Sequence, residues 1–159
     1  MQNKIKVNKT ISKWSIIVLL SPIFCQVLIN EYSASNLSWY TDNYQLEEDW
    51  IELYNTGSTE EDIGGYFLSD DPDEPAKWMI PGGTVIPADG YLVFWCSGRD
   101  EYSDNNYHTN FKLKQAKNNP DHLVFSDPYG NIIDDFEIQK TQLNHSMGRS
   151  PNGSDTWNI

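Results

Sequence analysis

The chain has 159 residues, 11 basic and 23 acidic side chains, and a net charge of −12. That length allows one domain and a short appendage. The acidic excess opposes contact with nucleic-acid phosphates or anionic membranes, and it suits solubility or attraction of divalent cations and basic partners.

Residues 1–25 form the appendage. Lys4, Lys6, Lys9 and Lys13 make a basic start without an acid, Trp14 to Leu20 is an apolar run, and Ser21-Pro22-Ile23-Phe24-Cys25 follows. This order predicts a secretory signal peptide cut after Cys25, and hence a secreted or cell-surface protein. A membrane span needs about 20 apolar residues, and this run is shorter. Acylation of Cys25 would want a small residue where Phe24 stands. Residues 26–159 then carry seven basic and 23 acidic residues, a net of −16. Cys96 is left alone, so no internal disulfide is available and the domain must rely on its core. Cys96 lies in an apolar run, as a buried inert thiol would.

Beyond residue 25, apolar runs of four to eight residues alternate with Gly, Pro, Asn, Asp and Ser, the spacing of an all-β sandwich or barrel. The first strand is expected over Val27 to Tyr32 and the second over Trp50 to Asn55. In the second, Ile51 and Leu53 face one way and Trp50, Glu52 and Tyr54 the other. Asn55-Thr56-Gly57-Ser58 is a turn. Further strands are expected at Tyr66–Ser69, Lys77–Ile80, Val85–Ile86 and Tyr91–Cys96. Arg99 to Asn106 reads as a polar loop, and Asn110 to Leu113 as a short strand. His122–Ser126 and Ile132–Ile138 flank the turn Asp127-Pro128-Tyr129-Gly130 and read as a hairpin. About eight or nine short strands suit an immunoglobulin-like β-sandwich, without the Cys…Trp…Cys of antibody domains. Aromatic residues are 13% of the chain, enough for most of them to plug a core between two sheets.

An ordered set of motifs begins with Val27-Leu28-Ile29-Asn30-Glu31-Tyr32 and Asp49-Trp50-Ile51-Glu52-Leu53-Tyr54-Asn55, the most specific piece. Gly65 to Asp70, Lys77-Trp78, Pro81 to Pro87, Gly90 to Val93, Asp127 to Gly130 and His145 to Arg149 follow. The set resembles the lamin-tail domain in its bacterial secreted form. The resemblance implies an immunoglobulin-like sandwich over residues 26–159. It also implies a non-catalytic interaction module, here expected as the N-terminal part of a larger extracellular protein. The expected partners are an extracellular protein, a polysaccharide or a downstream domain. One alternative is an accessory domain of a secreted enzyme, spore-coat-kinase-like or hydrolase, with its catalytic domain downstream.

Catalytic signatures are missing from the sequence. His108, His122 and His145 share no metal-type spacing, and no Gly-x-Ser-x-Gly occurs. No cofactor is expected apart from calcium, which would make the domain a calcium-stabilised binding module. Asp70, Asp71 and Asp73 are the candidate calcium ligands. Pro75 stands where an EF-type loop would place its third ligand, so a solvated acidic loop competes with that reading. Glu31 and Glu52, inside apolar strands, are expected to pair with Arg99 or Arg149 or to accept backbone N–H groups, as structural members of the motif with Asn30, Trp50 and Asn55. Trp39, Tyr40, Tyr44, Tyr102 and Tyr107, in polar segments, are the candidate binding aromatics. The competing reading folds them back over the core edge.

Overall fold

In the computed structural model, residues 26–159 are described; the signal-peptide assignment over 1–25 lies outside them. Thirteen strands make up the described chain: β1 Val27–Ser33, β2 Trp50–Asn55, β3 Glu61–Asp62, β4 Phe67–Ser69, β5 Trp78–Met79, β6 Val85–Ile86, β7 Tyr91–Trp95, β8 Glu101–Ser103, β9 Asn106–His108, β10 His122–Ser126, β11 Ile132–Glu137, β12 Met147–Arg149 and β13 Trp157–Asn158. The count exceeds eight or nine because several strands have only two or three residues, too short to show alternation in the sequence. Among the described residues no helix is long and apolar enough to cross a membrane.

One sheet has seven strands in the order β13-β12-β1-β2-β7-β9-β8, a second has four in the order β11-β10-β4-β5, and β3 pairs with β6. The two larger sheets face each other as an immunoglobulin-like sandwich. Ile29, Tyr32, Ile51, Leu53 and Phe94 of the first sheet meet Leu68, Trp78, Leu123 and Phe125 of the second, all inaccessible or nearly so. The expected alternation in β2 holds: Ile51 and Leu53 are buried, while Glu52 and Tyr54 reach the outer face. Cys96 is buried and free, and burial pushes its thiol pKa well up, as suits an inert packing residue.

Two segments differ from expectation. Arg99 to Asn106 is no mere loop: β8 and β9 form a hairpin, with Asp104 and Asn105 at φ of 49° and 60°. Paired positive φ is what a two-residue hairpin turn needs, and Asp and Asn tolerate it. Asn110 to Leu113 joins no ladder, although Phe111 and Leu113 pack into the core.

Asn55, fully buried, ends β2. Its Nδ2 donates to the carbonyls of Thr59, Ile86 and Pro87 at 2.8, 3.0 and 3.1 Å, and its Oδ1 accepts from Gly57 N at 2.9 Å. The amide thus ties the β2 turn to the end of β6.

The β1–β2 register shifts between Ile29 and Glu31, a bulge centred on Asn30. Arg149 closes on this bulge. Its Nε donates to Ile29 O at 2.7 Å, and its Nη2 forks onto Asp134 at 2.9 and 3.0 Å. Asp134 Oδ2 in turn accepts from Ile29 N at 2.9 Å. The guanidinium also lies over the Trp157 ring at 4.8 Å. Of the partners expected for Glu31 and Glu52 (Arg99, Arg149 or backbone N–H groups), Arg149 goes instead to Asp134 on the opposite sheet.

Removing one partner of a buried, hydrogen-bonded pair strands the other charge. Arg149→Ala is therefore expected to lower the unfolding free energy by about 3–5 kcal/mol in urea denaturation. Arg149→Lys should recover only part, because an ammonium cannot reproduce the planar fork.

Candidate functional site

The outer face of the seven-stranded sheet carries an open groove of about 400 Å³. Its floor comes from three adjacent strands: Glu31 and Ser33 of β1, Trp50 and Glu52 of β2, and Val93 and Trp95 of β7. Cross-strand register sets these side by side, with Glu31 opposite Glu52, Glu52 opposite Val93, and Trp50 opposite Trp95. Trp39 and Tyr40, from the β1–β2 loop, form a wall. Asn105 and Asn106 lie on the β9 side, and Asn144 and Ser146 on the β12 side. Farther along the same face, Tyr54 and Tyr91 stack at 4.6 Å and 17°. The rows from Trp50 to Tyr54 span about 14 Å at the strand rise.

The aromatic wall is held from behind. Asn36 is buried, and its Nδ2 donates to Tyr40 O at 2.7 Å and Glu48 O at 2.9 Å. Its Oδ1 accepts from the backbone N–H groups of Trp39 and Tyr40, both at 3.2 Å. Asn144 adds a second hold, accepting from Leu37 N at 2.7 Å and donating to Ser38 Oγ at 2.9 Å. The Tyr40 ring meets Trp50 edge-on at 6.1 Å, and Trp39 meets Tyr40 at 6.3 Å. Trp39 stays 73% exposed and Tyr40 56%. Two large rings so placed, on a backbone so tied, are available for contact without a loop having to order first.

The expected binding aromatics separate into three places. Trp39 and Tyr40 enter the groove. Tyr44 instead joins an ionic staple: its hydroxyl donates to Glu101, and the Arg99 guanidinium lies 4.9 Å from its ring. Arg99 pairs with Asp42 at 2.6 Å and Glu48 at 3.0 Å, so neither Glu31 nor Glu52 is its partner. Tyr102 and Tyr107 stack on each other at 4.6 Å beside the β8–β9 turn, and Tyr107 also packs 5.2 Å from Phe94 in the core. Tyr107 is thus the residue that folds back over the core edge.

Glu52 was expected to be structural, and half of its carboxylate is: Oε1 accepts from Asn30 Nδ2 at 3.0 Å. Asn30 also accepts from Gly153 N at 3.0 Å, so the bulge residue links three segments. Burial pushes the Glu52 pKa up, against the Asn30 hydrogen bond and with help from the nearby Glu31 charge. Among the described residues no ion pair includes either carboxylate. Trp95 and the Asn105–Asn106 rim were not singled out from the sequence. The signal for Trp95 was its position: alternation along Tyr91–Trp95 puts it on the side of Tyr91 and Val93.

The acidic loop behaves differently. Asp70 Oδ1 is sealed from solvent without a hydrogen bond of good geometry, and the Lys77 ammonium 2.6 Å away neutralises it. Asp71 Oδ1 accepts from Asp73 N at 2.9 Å, an Asx turn. Among the described residues, no three His, Cys, Asp or Glu side chains are grouped to hold a metal ion. The fold and the groove together describe an all-β, immunoglobulin-like module with an open groove on its outer face. A family model for the Lamin Tail Domain matches residues 24–140, and the chain belongs to that family, one of non-catalytic immunoglobulin-like domains. No curated protein and no solved structure gives a significant match.

Because Lys77 already neutralises Asp70, calcium is expected to leave the melting midpoint where a chelator leaves it; a calcium-dependent rise would assign the loop a cation. Asp49, whose Oδ1 accepts from Asn36 N at 3.0 Å, has its pKa raised from 3.8 to about 6, chiefly by burial. The folded state then binds the extra proton between those values, so the Asp49 contribution to stability falls as pH rises through that window. Asp49→Asn keeps the acceptor and removes the charge. Its stability relative to the parent should rise as pH increases from about 4 to about 6, measured by urea denaturation at several pH values.

Proposed function

We propose that the protein is a secreted, non-catalytic interaction module whose contact site is the aromatic groove on the outer face of the seven-stranded sheet. The observation that carries this reading is the Trp39–Tyr40 wall. Two large aromatic side chains are exposed beside a concave floor, and buried Asn36 fixes their backbone. Aromatic side chains supply broad contact area at low entropic cost, and pockets of roughly 300–1,000 Å³ are typical of ligand sites. Secretion is supported by the basic start and apolar run of residues 1–25. Membership of a family of non-catalytic domains supports contact rather than turnover.

Labelled protein is expected to bind isolated cell envelopes of the organism that encodes it. Replacing Trp39 and Tyr40 together by Ala should weaken that binding at least about tenfold, equivalent to about 1.4 kcal/mol. The melting midpoint should hold, since neither side chain makes a described hydrogen bond. Envelope binding equal to that of the parent would remove the groove as the contact site.

A further inference from the structure

Taking the groove as the contact site proposed above, we infer that its ligand is an amino sugar of a glycan: a hydroxyl-bearing ring with an apolar C–H face and a free ammonium group. Three features of the groove select that chemistry together.

The first is the carboxylate pair. Glu31 and Glu52 are cross-strand partners on one face of the sheet. Like charges directly opposite each other destabilise a sheet pair. Among the described residues the Glu31 carboxylate has neither an ion pair nor a hydrogen bond, and that of Glu52 is engaged by Asn30 through Oε1 alone. The flank of Glu31 is also kept open. Its register partner on β12 is Gly148, where an added Cβ would lie 3.1 Å from Glu31 Cγ. An ammonium group seated between the carboxylates would offset their repulsion.

The second is the aromatic wall. Exposed Trp39 and Tyr40 offer flat faces to a ring, and a cation near such faces is attracted by them. The third is the rim, where the Asn105 side chain and the Ser146 hydroxyl stand among groups suited to hydroxyl recognition. A neutral sugar would leave the carboxylate pair uncompensated. A lysine side chain would satisfy the carboxylates and leave the polar rim unused. A ring bearing both hydroxyls and an ammonium uses all three.

Isothermal titration in mildly acidic buffer tests the assignment, with three probes: a tetramer of β-1,4-linked glucosamine, its fully N-acetylated counterpart, and a lysine-rich peptide of equal charge. The amino tetramer is expected to bind, and the acetylated one at least about tenfold more weakly. Glu31→Gln and Glu52→Gln should each weaken the amino tetramer severalfold, and by a larger factor than the acetylated one. Gln keeps the Oε1 acceptor for Asn30, and removing one of two facing charges should not lower the melting midpoint, so loss of binding would not reflect misfolding. Trp39→Ala should weaken both tetramers. Equal binding of the two tetramers would overturn the ammonium assignment. Tighter binding of the peptide, with the same dependence on Trp39, would replace the glycan by a basic protein segment. If no probe binds but the Trp39 and Tyr40 double variant still loses envelope binding, the amino-sugar ligand is wrong and the groove stands. If envelope binding is also unchanged, both fall.

Discussion

The bulge in β1, held by Arg149 and Asp134, is the constraint on which the rest of the molecule depends. Strand side chains alternate, so an extra residue reverses the facing of everything beyond it. Val27 and Ile29 point into the core. Without the bulge, Glu31 would point inward as well and Tyr32 outward. With it, Tyr32 is fully buried and Glu31 joins Glu52 on the outer face. The inserted Asn30 is itself buried, its amide shared between Glu52 and the segment before β13. Asp134 and Arg149 bind the N–H and the C=O of Ile29, the residue where the irregularity begins. One lies on the four-stranded sheet and the other on the seven-stranded sheet, so a single ion pair fixes both the facing of β1 and the approach of the sheets.

The groove depends on the same device from one side and on Asn36 from the other. The bulge delivers Glu31 to the floor; Asn36 and Asn144 hold the Trp39–Tyr40 backbone above it. Asp49 couples the two, since it accepts from Asn36 N and directly precedes Trp50. Its carboxyl is desolvated by that position, which is why its pKa rises. The family motif Asp49-Trp50-Ile51-Glu52 therefore has two faces. Ile51 is core, while Trp50 and Glu52 are floor, and Asp49 anchors the wall.

Much of this could be read in advance, and the remainder fails for physical reasons. Longer strands show themselves by alternation or by an apolar run, so β1, β2, β7, β10 and β11 were visible. The β8–β9 hairpin was not: its strands are three residues each, and their polar composition mimics a loop. The bulge was also invisible, because nothing local to Ile29-Asn30-Glu31 breaks a strand; its cause is more than a hundred residues away at Asp134 and Arg149. The aromatic candidates were recognised by type and by polar surroundings, which cannot distinguish Trp39, left free, from Tyr44, pinned by Arg99. That difference lies in which cation folds back onto which ring.

Charge pairing followed the same logic. By residue type alone, the two arginines are natural partners of the two strand carboxylates, as are backbone N–H groups. In the fold, cations go where separate segments must be joined. Arg99 binds Asp42 and Glu48 of the β1–β2 loop, Lys112 also reaches Glu48, Lys77 seals Asp70, and Arg149 bridges the sheets. Residues 26–159 have only seven basic side chains against 23 acidic ones, so a carboxylate that joins nothing is left without a cation. Glu31 is such a group, and Glu52, held by the Asn30 amide, likewise has no cation among the described residues. What sets them apart from other surface acids is placement: they face each other on a rigid sheet, partly desolvated, under an aromatic wall. Exposed acids on a loop can separate into water and cost little. A pair fixed in register keeps its two backbones opposite each other, so the two acids share one stretch of the outer face.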